Sequence, residues 1–161
     1  MKEYDLNRLL EDKELVDTIL REFLITGVLV QQEKDKSEIQ GHILKAEHNL
    51  RFIHENFKLG FFDWAIVGCY YASYHAALAM ILTKGYSSKN HMATLCVLIK
   101  EFYKKELTQE DIQILSHFLD YQDVLFYVES KNKREDATYS TKTRFTKQEV
   151  EALKIKASLF I

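Results

Sequence analysis

Residues Phe62–Gly85 read FDWAIVGCYYASYHAALAMILTKG. The stretch is almost entirely apolar, yet it carries a tryptophan, three tyrosines and a histidine. On a helix, Tyr71, Tyr74, His75 and Leu78 fall on one face by the three-and-four rule, and Trp64, Val67 and Tyr71 extend that face backward. Ala72, Ala76, Ala77, Ala79 and Gly68 are small enough for neighbouring helices to approach closely. The segment therefore reads as a central helix, surrounded on most sides. Tyrosine hydroxyls and an imidazole buried there must find hydrogen-bond partners. One edge of the helix is expected to border a cleft.

The flanking sequence supports an all-α fold. Proline is absent from all 161 residues, which leaves little to interrupt helices. Leu6, Leu9, Leu10, Leu15, Ile19, Leu20, Phe23 and Leu24 predict one or two helices ending near Gly27. QQEKDKSE (31–38) reads as a polar connector. Ser37 with Gln40 resembles a capping box for a helix carrying Ile39, Ile43, Ala46, Leu50, Ile53 and Phe57. Asp63 is the expected cap of the central helix, and Gly85 its stop. GYSSKNH (85–91) reads as a short turn before a helix over about 90–104. Thr108 with Asp111 opens another, and Thr146 with Glu149 a last one. The result is an up-and-down bundle of about five to six helices in one domain.

Composition narrows the function classes. The formal net charge is −2 and the pI about 6.3, so nucleic-acid binding requires a local basic patch. Residues 131–147 supply one: Lys131, Lys133, Arg134, Lys142, Arg144 and Lys147 against Glu135 and Asp136. Cys69 and Cys96 lie in apolar helical runs and read as small buried hydrophobes. No Cys/His spacing suits zinc, and His42, His48 and His54 do not share a helix face. The N-terminus MKEYDLNRLL lacks a signal-peptide core. The apolar run Ala76–Leu82 is too short to cross a bilayer. A cytoplasmic protein without membrane attachment is the expectation.

The pattern DWAIVGCYYASYHAALAMILTKGYSSKNH (63–91) resembles the HEPN domain (higher eukaryotes and prokaryotes nucleotide-binding). The matching positions are Ala65, Tyr70, Tyr71, Ala72, Tyr74, His75, Ala76, Gly85, Lys89 and His91, with Tyr74 where phenylalanine is common. REDATY (134–139) resembles a second hallmark, with Thr138 where aspartate is common. The resemblance covers 37–160, and residues 1–30 resemble the helical extension of small stand-alone members.

The resemblance implies a homodimer with a functional cleft along its seam. It also implies a prokaryotic toxin–antitoxin or nucleotidyltransferase-linked setting, with a minimal nucleotidyltransferase as partner and RNA or nucleotide as ligand. Catalytic members cleave RNA without metal through an R-x4–6-H motif, and no cofactor is expected. Here Arg134 is followed at that spacing by Tyr139. A guanidinium grips phosphate bidentately. A phenol with a pKa near 10 is a poor base at pH 7. Arg134 and Tyr139 are the candidate catalytic pair of a metal-independent endoribonuclease, but the substitution favours phosphate binding over catalysis. Candidate ligand contacts are Lys89, His91, Lys131, Lys133, Arg144, Tyr71 and His75, with Tyr139 and Phe145 available to stack a base. The alternative is a non-enzymatic module for dimerisation and protein docking.

Overall fold

The computed structural model describes residues 3–120 and 146–161. Its described elements are seven helices and two short strands. They are α1 Glu3–Glu11, α2 Lys13–Ile25, β1 Leu29–Gln31, α3 Lys36–Lys58, α4 Phe62–Thr83, β2 Tyr86–Ser88, α5 His91–Phe102, α6 Gln109–Asp120 and α7 Lys147–Phe160. The architecture is an all-α bundle, as its periodicity predicts.

Several helix starts follow the expected chemistry. Asn90 Oδ1 accepts from Ala93 N at 3.0 Å. Thr146 and Glu149 form a reciprocal capping box at α7, and Thr108 and Asp111 exchange side-chain and backbone bonds before α6. Two expectations are corrected. The cap of α3 is Asp35, whose carboxylate accepts from Ser37 N at 2.7 Å and from Glu38 N; an aspartate two residues earlier displaces the Ser37–Gln40 box. The cap position of α4 is Phe61, with no side-chain bond. Asp63 lies inside the first turn, where its charge meets the helix dipole instead.

The strands are the main departure from the sequence reading. The residues leading into the connector and those of the turn contribute an antiparallel pair, Leu29↔Ser88, Val30↔Ser87 and Gln31↔Tyr86. Gly27 and Gly85 adopt positive φ, 71° and 77°, which lets the chain leave α2 and α4 sharply. Gln32 N then donates to Gly85 O at 2.9 Å. Leu29 is buried, and Ser88 Oγ donates to Val28 O at 3.0 Å. Three-residue strands carry too little alternation to stand out in a sequence.

Two cores flank α4. Val67, Tyr70, Ala77 and Ile81 face one, shared with Leu6, Val16, Leu20, Leu95 and Leu98 of α1, α2 and α5. Ala65, Ile66, Cys69 and Ala72 face the other, with Ile53 of α3, Ile114 of α6 and Val150, Leu153 and Ala157 of α7. Each large buried aliphatic side chain contributes about 1.5–3 kcal/mol. Cys69 and Cys96 are buried and free, and burial pushes both thiols up to about 12. The length argument from Ala76–Leu82 needs correction. The whole of α4, 22 residues, is long and apolar enough to cross a membrane by length and composition. Its most apolar window is 67% buried by neighbouring protein, as in the core helix of a bundle.

Candidate functional site

A cleft of about 400 Å³ opens where the first turns of α3, the middle of α4, β2 and the start of α5 converge. Its inner wall includes Leu78, Ile81 and Leu82; its rim carries Glu38, His42 and Lys89. Tyr70, Tyr74 and His91 join the two. The β1–β2 pairing positions the last of these. It delivers Ser88 to Val28, Ser88 Oγ accepts from Asn90 N at 3.0 Å, and Asn90 caps α5, whose first residue is His91.

Two polar pairs organise the cleft. Tyr70 Oη lies 2.7 Å from His91 Nε2. Tyr74 stacks near-parallel to Tyr70 with centroids 5.9 Å apart, and meets the His91 ring edge-on at 4.7 Å. Burial raises both phenol pKa values, and a bond to Thr94 partly offsets the rise at Tyr74. Both hydroxyls therefore stay protonated at neutral pH. On the other side, His42 Nδ1 and His75 Nδ1 are 2.9 Å apart. One ring must supply the proton and the other the lone pair. Burial pushes His75 down to about 4, helped by the neighbouring His42 and by Lys45. Burial also lowers His42, against the pull of Glu38. The pair is thus neutral at pH 7 and acts through hydrogen bonds, not as cations.

Of the residues singled out in the sequence, Lys89 and His91 line this cleft, with Lys89 exposed at its rim. His75 stands behind His42 through the shared proton. Tyr71 packs against the core shared with α1, α2 and α5 and meets Tyr70 edge-on at 5.0 Å. Arg134, Tyr139, Lys131, Lys133 and Arg144 lie outside the described residues, as does Phe145. Sequence reasoning did not select Tyr70, His42 or Glu38. Tyr70 carried a signal, the i, i+4 spacing to Tyr74. Glu38 and His42 share that spacing with each other, but their meeting with α4 is a tertiary event. No group of three or more His, Cys, Asp or Glu among the described residues could hold a metal ion.

Comparison with known proteins agrees with the fold. The family model described as "HEPN domain" matches residues 39–161. The chain is 29% identical over 132 residues to a Methanocaldococcus jannaschii protein named "Putative toxin MJ0142", covering 82% of each chain. It is 30% identical over 86 residues to a "UPF0332 protein" of Archaeoglobus fulgidus, covering 53% of this chain and 69% of that one.

Proposed function

The chain belongs to the HEPN domain family, and from that premise we propose that it is a toxin-like component of a prokaryotic toxin–antitoxin or nucleotidyltransferase-linked module that binds RNA or nucleotide phosphate. One observation carries the reading. Tyr70 and Tyr74 on α4, and Lys89 and His91 15 to 21 residues further along the chain, converge on one cleft. It offers aromatic faces, imidazole rings and the Lys89 ammonium, which is the equipment for a base and a phosphate. The relative named as a toxin, matched over 82% of its length, supports the module assignment.

Arg134 and Tyr139 are the proposed phosphate grip, aided by Lys131, Lys133 and Arg144. Tyr139 stands at the position of the family histidine, so binding rather than strand scission is the expected activity of that pair. The experiment is a labelled single-stranded RNA titration at moderate salt, repeated with Arg134→Ala. Binding that falls at least tenfold in the variant supports the reading. No binding by the native protein would sink it.

A second reading, a homodimerising and docking module, has its own support. Leu59, Phe61, Trp64 and Phe52 are exposed near the α3–α4 turn, and exposed apolar patches of this kind mark association surfaces. Light scattering on native protein and on Trp64→Glu tests it: a native dimer that dissociates in the variant is the expected result.

A further inference from the structure

We propose that a second concavity, between α2, β2 and α5, docks an acidic segment of a partner protein: a carboxylate held by Arg21, with a neighbouring apolar side chain seated on Leu20 and Leu24. It shares no lining residue with the cleft described above, and the inference does not depend on the phosphate-binding reading.

Shape is the first argument. The concavity has a volume of about 270 Å³ and is lined by Asp17, Leu20, Arg21, Leu24, Tyr86 and Lys100. That is just below the roughly 300–1,000 Å³ of sites that enclose a whole small molecule. It suits one anchoring side chain and the acid beside it, with the rest of the ligand outside. Asp17, Leu20, Arg21 and Leu24 share one face of α2 at steps of three and four. Leu20 belongs to the core and Leu24 packs against it, so the floor is fixed. Ile25, one turn beyond Arg21, is 85% exposed and carries the apolar strip out to the surface.

Charge is the second. Two lining residues are cations and one is an acid. Lys100 Nζ lies 2.7 Å from Asp17 Oδ1, so the only carboxylate in the lining already has its cation. Beyond the lining, Lys13 acts on Asp17 and Glu101 on Lys100, one charge of each sign. The excess therefore stays positive by one. It sits at Arg21, whose guanidinium has no hydrogen bond or ion pair among the described residues. A guanidinium in that state takes a carboxylate through two parallel bonds. Tyr86 Oη accepts from Gln31 Nε2 at 3.4 Å, which leaves its own hydrogen to donate to an incoming oxygen.

The combination selects a peptide. A nucleic-acid backbone would set successive phosphates against Asp17 and leave Leu20, Leu24 and Ile25 without apolar partners. An acidic peptide supplies hydrocarbon and a single carboxylate together, and arginine and tyrosine are side chains on which protein interfaces concentrate their energy.

The test is fluorescence anisotropy of the full chain with three fluorescein-labelled octapeptides: alternating Leu and Glu, alternating Leu and Gln, and alternating Ser and Glu. The Leu–Glu peptide should bind saturably, and each control about tenfold more weakly or worse. Arg21→Ala should weaken the Leu–Glu peptide about tenfold, and Ile25→Ser about threefold. Both side chains are exposed, so neither change threatens folding. Arg51→Ala, at an exposed cation on α3, should change nothing, and nor should Arg134→Ala, on which the phosphate reading turns. Absent binding of the Leu–Glu peptide, binding that survives Arg21→Ala, or equal binding of the Ser–Glu peptide overturns the proposal. So does a native dimer that Arg21→Ala converts to monomer in light scattering, because the occupant is then a second copy of the chain. Loss of oligouridylate binding in Arg21→Ala also overturns it, because the concavity is then part of an RNA surface.

Discussion

His42 on α3 and His75 on α4 meet Nδ1 to Nδ1 at 2.9 Å, with ring centroids 5.1 Å apart. One bridging proton ties the two longest of the described helices together beside the cleft. The arrangement is stable while both rings are neutral. A proton taken up by the acceptor Nδ1 would set two N–H groups against each other, with Lys45 adding to the repulsion.

Stability should therefore fall on mild acidification. His75 titrates at about 4 in the folded chain against an ordinary 6.5. Above pH 6.5 neither folded nor unfolded His75 carries a proton, and the contribution is fully present. Between 6.5 and 4 the unfolded chain binds the proton and the folded chain does not, so stability is lost over that window and levels off below it. Discounted for the partial exposure of the site, the loss is about 1–2 kcal/mol. Urea unfolding at pH 7 and pH 5 measures it. His75→Asn should show a smaller drop between those two pH values than the native chain.

Two neighbouring positions on α4 should respond oppositely to alanine. A Cβ at Gly68 would lie 2.6 Å from Ile53 Cγ1 and 3.0 Å from Phe52 Cδ1, and Ile53 is fully buried. Gly68→Ala should destabilise by about 1–3 kcal/mol, the usual cost of overpacking, in excess of any gain in helix propensity. Ser73 is fully buried, and its Oγ has no partner among the described residues. Ser73→Ala should be neutral or stabilising by about 1 kcal/mol, because an unsatisfied hydroxyl is removed. Chemical denaturation of both variants checks the pair.

The β1–β2 pairing can be probed through its glycines. Gly27 and Gly85 share positive φ, but a Cβ at Gly27 meets nothing within 4 Å, whereas one at Gly85 sits 2.9 Å from the Gln32 carbonyl oxygen. Both alanine variants bear the cost of a left-handed backbone, about 1 kcal/mol. Gly85→Ala should lose at least about 1 kcal/mol more and speed amide exchange at Gln32. Equal melting temperatures for the two variants would contradict this.

Thr146 accepts from Glu149 N at 3.3 Å while Glu149 Oε2 accepts from Thr146 N at 2.7 Å. The bond from Thr146 N, with a second from the Thr146 hydroxyl to the same Oε2 at 2.8 Å, holds the Glu149 carboxyl below the usual range. Thr146→Ala should cost about 0.5–2 kcal/mol, read as a lower urea midpoint with an unchanged slope. Thr146→Ser should restore most of it.

What could be read without coordinates was what depends on near neighbours in the chain. Apolar period marked α2, α3, α4 and α5. The Asn90, Thr108 and Thr146 starts were legible because a cap contacts residues only two or three positions away. The all-apolar circumference of α4 already required neighbours on most sides. Local reasoning failed where two signals competed, as when Asp35 rather than Ser37 captured the α3 amides. The cleft belonged to tertiary structure alone. Glu38 and His42 share the cleft with Tyr70 and Tyr74 because α3 packs along α4, and Lys89 and His91 arrive because β2 pairs with a strand 55 to 59 residues earlier in register. Such contacts depend on how helices stack and strands align, and no spacing within a single segment encodes that.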